Sequence, residues 1–245
     1  MPDTTSPRRH FLIVATIWAV LSTIGIVLVV GMQIMPVIAS RQAEIENAAF
    51  VLMTAASVPV LLLVVVPMVY SAVRFRARPG DPDGDGPPIH GHRAFERVWV
   101  ALSLAAVAGL AVYGSIGILE IRGSEPPTLE VRAIASQWRW QFEYPGSDVE
   151  AKELTLPVGE RVHIVITAKD VVHSFSIPAF GVKQDAVPGR ETYFNVTPTF
   201  TGDYGAQCAE LCGVGHTLMV VKVHVLEAAD FEAWLAAEQR KPEPS

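Results

Sequence analysis

Hydrophobic and polar residues are distributed along this chain in two different ways. Up to residue 127 the apolar positions run together, and segments 11–39, 48–73 and 98–119 contain no Asp, Glu, Lys or Arg. Beyond Pro126 and Pro127 they break into short alternating or β-branched runs. A run of the first kind lacks the polar face that a surface helix needs. Even the shortest, at about 1.5 Å per helical residue, matches a hydrocarbon core about 30 Å thick, so three membrane-spanning helices are expected. Pro36, Pro59 and Pro67 are compatible with that, because neighbouring groups in a bundle satisfy the carbonyls a proline frees.

Basic residues orient these helices. Arg74, Arg76, Arg78, Arg93 and Arg97 flank the link 74–97, whereas the other two exits carry only Arg41 and Arg122. The link is therefore expected in the cytoplasm together with Arg8 and Arg9, and the C-terminal part outside. Segment 11–39 has a second reading as a secretory signal ending in Val37-Ile38-Ala39, although its apolar run is long for that; a retained helix is the favoured expectation, and both place the C-terminal part outside. Within the link, 79–88 is too rich in Pro, Gly and Asp for a helix or continuous strand. Asp81, Asp83 and Asp85 alternate as in a calcium loop, but the Glu at the required offset is missing.

The second regime predicts strands at 129–134, 138–144, 161–167, 171–177, 193–197 and 219–226, punctuated by Pro-Gly and Gly-Asp turns, and a closing amphipathic helix at 228–239. The fold class expected is N-terminal transmembrane α-helices followed by an all-β sandwich or Greek-key barrel. Its divisions are an N-terminal apolar segment with a short outer link (1–47), a two-helix transmembrane hairpin (48–127) and an extracytoplasmic β domain (128–245).

Composition agrees: half of the 245 residues are hydrophobic and the mean hydropathy is +0.33, more than an ordinary soluble chain carries. The net charge of −6 is uneven. All of the acidic excess lies beyond Thr128, which argues against nucleic acid as a partner and suits a basic protein. Two cysteines four residues apart make no disulfide framework.

Those cysteines lie in the segment 208–219, Cys-Ala-Glu-Leu-Cys-Gly-Val-Gly-His-Thr-Leu-Met, which gathers two thiols, an imidazole and a thioether. Soft donors of this kind favour copper. His173, which would end or interrupt an inner strand, is the candidate for a distant ligand, whereas His163 and His224 alternate with aliphatic residues and are expected to face solvent. Zinc would use Cys208, Cys212, His173 and His216 but leave Met219 idle. A Cys208–Cys212 disulfide would leave His216 and Met219 idle, and a mononuclear copper site would leave a thiolate over. Two coppers bridged by both thiolates use the whole set, with Met219 and a loop carbonyl, that of Glu210, as weak ligands.

The pattern Cys-x-Glu-x-Cys-Gly-x-x-His-x-x-Met resembles subunit II of the heme-copper cytochrome c oxidases. The resemblance extends over about 48–234 and includes His90-Gly91-His92, Gln137-Trp138-Arg139-Trp140, the 170–175 segment Asp-Val-Val-His-Ser-Phe and the 181–190 segment ending in Pro-Gly-Arg. It implies a cupredoxin-like barrel whose dinuclear copper A centre takes electrons from cytochrome c and passes them to heme in subunit I, where oxygen is reduced. It also implies a bacterial plasma-membrane location and contacts with subunit I, subunit III and the lipid bilayer. By position, Trp138 corresponds to the tryptophan through which electrons come in. Glu210 corresponds to a residue whose carbonyl binds copper and whose carboxylate reaches a magnesium shared with subunit I. Asp170 and Asp185 correspond to acidic positions near partner surfaces. The chain departs from the pattern at Ala135-Ser136, where Gly-His is usual, at Arg139 in place of an aromatic, and in its extra apolar segment; no Cys-x-x-Cys-His for heme attachment follows the copper segment. A related quinol oxidase subunit lacks the copper ligands. The alternative is a membrane-anchored copper-binding or copper-delivery protein, which would need neither the tryptophan box nor Glu210.

Overall fold

The computed structural model describes residues 6–32, 37–76, 91–123 and 126–240. The calcium-like aspartates, Pro36 and His90 lie outside the described residues. Three helices are long and apolar enough to cross a membrane: α1 (Pro7–Gly31), α2 (Arg41–Arg74) and α3 (Arg93–Arg122). Pro7 stands in the first turn of α1, where its missing N–H is not needed. Pro59 and Pro67 lie inside α2, which continues through both. The Trp18 indole N–H donates to the Pro59 carbonyl at 2.9 Å, and Gly25 accepts the approach of Val58, whose Cγ1 would lie 2.6 Å from any Cβ added there.

The chain divides into two compact units, one of residues 1–34 and 49–116, the other of residues 35–48 and 117–245. In the second, strands β1 (Leu129–Ser136), β2 (Arg139–Tyr144), β3 (Val149–Ala151), β5 (Val162–Ala168) and β8 (Thr192–Val196) form one sheet in the order β3-β2-β1-β5-β8. The other runs β4-β10-β9-β6-β7 and uses β4 (Leu154–Pro157), β6 (His173–Ile177), β7 (Val182–Ala186), β9 (Gly202–Cys208) and β10 (Val220–Leu226). β1 with β5 and β4 with β10 are parallel pairs, and the rest are antiparallel. The chain passes repeatedly from one sheet to the other, the Greek-key character expected of the cupredoxin-like class.

Period-two patterning builds the core. Val131, Ala133 and Ala135 of β1 face inward with Val162, Ile164 and Ile166 of β5, Trp140, Phe142 and Tyr144 of β2, and Phe175 and Ile177 of β6. Helix α4 (Ala228–Gln239) closes the unit by setting Phe231 and Trp234 against Tyr144. The Tyr144 hydroxyl donates to the Thr155 carbonyl at 2.9 Å and accepts the Thr155 N–H at 2.8 Å, pinning β4.

Three expectations are revised. The apolar run 11–39 is not one helix, because α1 stops at Gly31 and Ala39 is buried in the β unit, its N–H donating to Ala179 and its carbonyl accepting from Thr199. Strands β3, β4, β7 and β9 were not anticipated, being short or carrying polar residues at alternate positions. His163 and His224 turn away from the core as expected, yet neither ring is free: His163 pairs with Asn195 at 2.8 Å, and His224 sits between Asp203 and Glu153 at 2.6 and 2.9 Å.

Candidate metal centre

The site is built where β6 and β9 lie side by side. His173 opens β6, and Cys208 ends β9 opposite Phe175 in the register of the two strands. Cys208 is therefore a strand residue and inherits the rigidity of the sheet. Two backbone bonds anchor the loop that follows: the Cys208 N–H donates to the Met219 carbonyl at 3.0 Å, and the Ala209 N–H to the Ser174 carbonyl at 2.8 Å. They bring the start and end of the 208–219 segment together and place both against the strand that carries His173. His216 begins a short 3-10 turn, His216–Leu218.

Inside this frame the donors converge. The Cys208 and Cys212 sulfurs are 3.8 Å apart, as free thiols. His173 Nδ1 is 3.9 Å from the Cys208 sulfur, and His216 Nδ1 is 3.7 Å from that of Cys212. The Met219 sulfur is 3.9 Å from Cys212, while the Glu210 carbonyl lies 3.2 Å from Cys208. His173, Cys208 and Cys212 offer ligand atoms within 4.8 Å of one another. His173, both cysteines and Met219 are buried, and His216 is partly so.

These groups suit a soft cation. Burial, and then the neighbouring Cys208 thiol, push the Cys212 thiol up to about 11, so without a metal that thiol stays protonated at neutral pH. A bound cation reverses that balance by stabilising thiolates directly. A buried cluster of two thiols, two imidazoles and a thioether, with no carboxylate among the converging atoms, is matched to copper better than to a hard ion.

The histidine is held in a usable form. Asp170 accepts from His173 Nε2 at 2.9 Å and from the backbone N–H groups of Gln137 at 2.6 Å and Val171 at 2.7 Å. Burial raises the Asp170 carboxyl, but these bonds outweigh it and hold it at about 2. An ionised acceptor on Nε2 keeps the hydrogen there and leaves the Nδ1 lone pair facing Cys208.

Trp138 stands at the edge of the same loop, 40% exposed. Its indole N–H donates to the Cys212 carbonyl at 3.3 Å, and the Gln137 side-chain amide donates to the same carbonyl at 2.8 Å. The Glu210 carboxylate is exposed, as are Asp185 and Arg139; the Arg139 Nε donates to the Ser136 hydroxyl at 3.3 Å. The structure thus gathers His173, Cys208, Cys212, His216, Met219 and the Glu210 carbonyl, and sets Trp138 against them. Sequence reasoning missed the contacts of Gln137 and of the glycines in Cys-Gly-Val-Gly-His, and placed Asp170 near a partner surface without its bond to His173. The three-residue spacing of Asp170 and His173 was the one available signal for that bond.

Residues 147–226 match the family described as cytochrome C oxidase subunit II, periplasmic domain. The chain is 30% identical over 261 residues to a cytochrome c oxidase subunit 2 of Synechocystis sp., covering 86% of this chain and 78% of the relative. It is 29% identical over 284 residues to that of Thermostichus vulcanus, covering 92% and 86%. Among solved structures, the periplasmic domain of subunit II of cytochrome oxidase of Bradyrhizobium japonicum aligns with a TM-score of 0.46 at 30% identity, covering 48% of this chain and 98% of that one.

Proposed function

From its membership of the cytochrome c oxidase subunit II family, we propose that this chain is the electron-accepting subunit of a respiratory terminal oxidase, taking electrons from cytochrome c at a dinuclear copper centre and passing them to heme in subunit I. The observation that carries the reading is the pair of buried thiols 3.8 Å apart, with an imidazole beside each. Two copper ions held between these thiolates would share one electron, so that little rearrangement accompanies its arrival or departure. The chain's own residues supply the rest. His173 and His216 approach from opposite cysteines, Met219 and the Glu210 carbonyl add weak donors, and Asp170 fixes the His173 tautomer. The two sheets exclude water from the sulfurs.

Trp138 offers the exposed face through which electrons come in, and its bond to the Cys212 carbonyl supports that role. The acidic excess beyond Thr128 steers a basic cytochrome c, an attraction that added salt weakens. The exposed Glu210 carboxylate is the candidate link to a magnesium shared with subunit I, and subunit III is the further expected neighbour. The β unit lies outside the bacterial plasma membrane on three spanning helices, with the N-terminus in the cytoplasm. Trp138 packed on the loop favours electron transfer over copper delivery.

Electron paramagnetic resonance of the detergent-solubilised full chain loaded with copper(II) tests this. One electron shared equally by two copper nuclei gives a hyperfine pattern distinct from that of a single nucleus; a single-nucleus pattern would sink the dinuclear reading. Trp138→Phe should keep the pattern and slow reduction by cytochrome c on the order of tenfold, and an unchanged rate removes Trp138 from the path.

A further inference from the structure

The glycines on either side of Val214 carry no side-chain donor for a metal. A Cβ built on Gly215 would stand 2.6 Å from Trp138 Cγ and 2.9 Å from Cε3, and closer still to Cδ2. These are ring atoms of the indole, which cannot yield as the tip of a flexible chain would. Gly213, at φ +118, would place a Cβ 3.3 Å from Trp138 Cζ2 and 3.2 Å from the Gln137 amide nitrogen. Between them Val214 is 93% exposed, so the backbone turns its side chain outward and its bare glycine faces toward the ring. The indole therefore lies directly on the main chain that joins Cys212 to His216, and the Gln137 amide shares the Cys212 carbonyl with the indole N–H.

We infer that Gly215 and Gln137 are positioning residues for electron transfer, a seat and a clip that hold the Trp138 indole in contact with the backbone between two metal donors. The inference rests on the reading of Trp138 as the point where electrons come in. Two features make this more than packing. The exposed edge of the ring gains nothing from burial, so contact with the loop is what the absent side chain at 215 secures. Cys212 also supplies both the carbonyl that receives the indole N–H and the thiol that faces His216, so the connection from ring to donor set is one hydrogen bond followed by a short covalent path within Cys212.

Gly215→Ala and Gln137→Leu, made in the full chain within its solubilised oxidase, test the inference against two reductants. Reduced cytochrome c has to deliver its electron through the docking face; ascorbate is small and does not. Gly215→Ala is expected to keep the shared-electron copper pattern and the wild-type rate with ascorbate, and to slow reduction by cytochrome c on the order of tenfold, short of the roughly hundredfold that a full ångström of misplacement can cost. Gln137→Leu, which removes one hydrogen bond, should lower the ratio of the cytochrome c rate to the ascorbate rate about threefold to fivefold. If Gly215→Ala leaves the cytochrome c rate unchanged while Trp138→Phe slows it, the seat is refuted and the reading of Trp138 stands. A wild-type rate in Trp138→Phe overturns both. Equal slowing with the two reductants, or loss of the copper pattern, assigns Gly215 to placing His216 and overturns the inference. Should Gly215→Ala not assemble, Gln137→Leu decides by the same ratio, and an unchanged ratio refutes the clip.

Discussion

Leu104 of α3 is 66% exposed and Phe175 of β6 is fully buried, yet both are apolar residues inside regular structure. The helical unit turns almost all of its apolar side chains outward, toward what the proposed topology makes lipid. There each helix satisfies its own backbone hydrogen bonds, and burial comes from the bilayer. The β unit receives neither from its own strands alone. β1 finds its parallel partner in β5, with Leu129 opposite Val162, and Phe175 fills its place only when Trp140 and Phe142 reach it from the other sheet. Stability is thus a local property in one region and a long-range one in the other, and the metal donors belong to the second.

The contrast can be broken by substitution. Phe175→Ala should cost about 3–5 kcal/mol, the range for emptying a buried aromatic site, and should loosen the copper centre because Phe175 lies opposite Cys208. Denaturant unfolding of the full chain followed by tryptophan fluorescence measures the first effect, and chelator resistance the second. A cost near that of an exposed position would remove the distinction. Leu104→Arg should instead leave the β unit's unfolding unchanged and disfavour membrane insertion by about 2.5–3.5 kcal/mol if the residue sits near the bilayer centre. Carbonate extraction from membranes reads that loss, and full retention would count against α3 as a spanning helix.

The smallest effect sharpens the comparison on the outer surface of the β unit. Burial lowers the His224 pKa, but Glu153 and Asp203 together raise it further, so it stands above its ordinary value. A raised pKa means that the protonated ring favours the folded state. Its contribution is complete below the unfolded value near 6.5 and is lost as pH rises through the folded one. Both carboxylates are exposed, at 51% and 70%, so the contribution stays within about 1 kcal/mol. His224→Gln should flatten that part of the stability profile, and a profile unchanged by the substitution would show that the cluster carries no linkage.

Much of this was readable in the sequence for identifiable reasons. The apolar runs gave α1, α2 and α3 because length without charge has one outcome in a membrane. The strand pattern gave β1, β2, β5, β6, β8 and β10, and the helix at 228–239 came out with its observed bounds. Strand β9, Gly-Asp-Tyr-Gly-Ala-Gln-Cys, was illegible because two glycines and two polar residues hide an inward face formed by Tyr204, Ala206 and Cys208. It is held as a strand by β10 and β6, not by its own preference. In the same way the end of segment 11–39 read as membrane, although Ala39 is claimed by backbone bonds to residues 140 and more positions away.

The candidate centre divides along the same line. The chemical identity of the donors is a property of residue types and close spacing, so the sequence by itself determined that 208–219 could hold a soft metal, that His173 could supply a distant ligand, and that three helices are long and apolar enough to cross a membrane. Which atoms face which was decided by tertiary structure alone. Gln137 and Trp138 on the Cys212 carbonyl and the indole over Gly215 join residues 75, 74 and 77 positions apart. The physical reason is that sequence pattern records local periodicity and donor chemistry, whereas a hydrogen bond or a ring resting on a backbone exists only once β6 and β9 have been set in register.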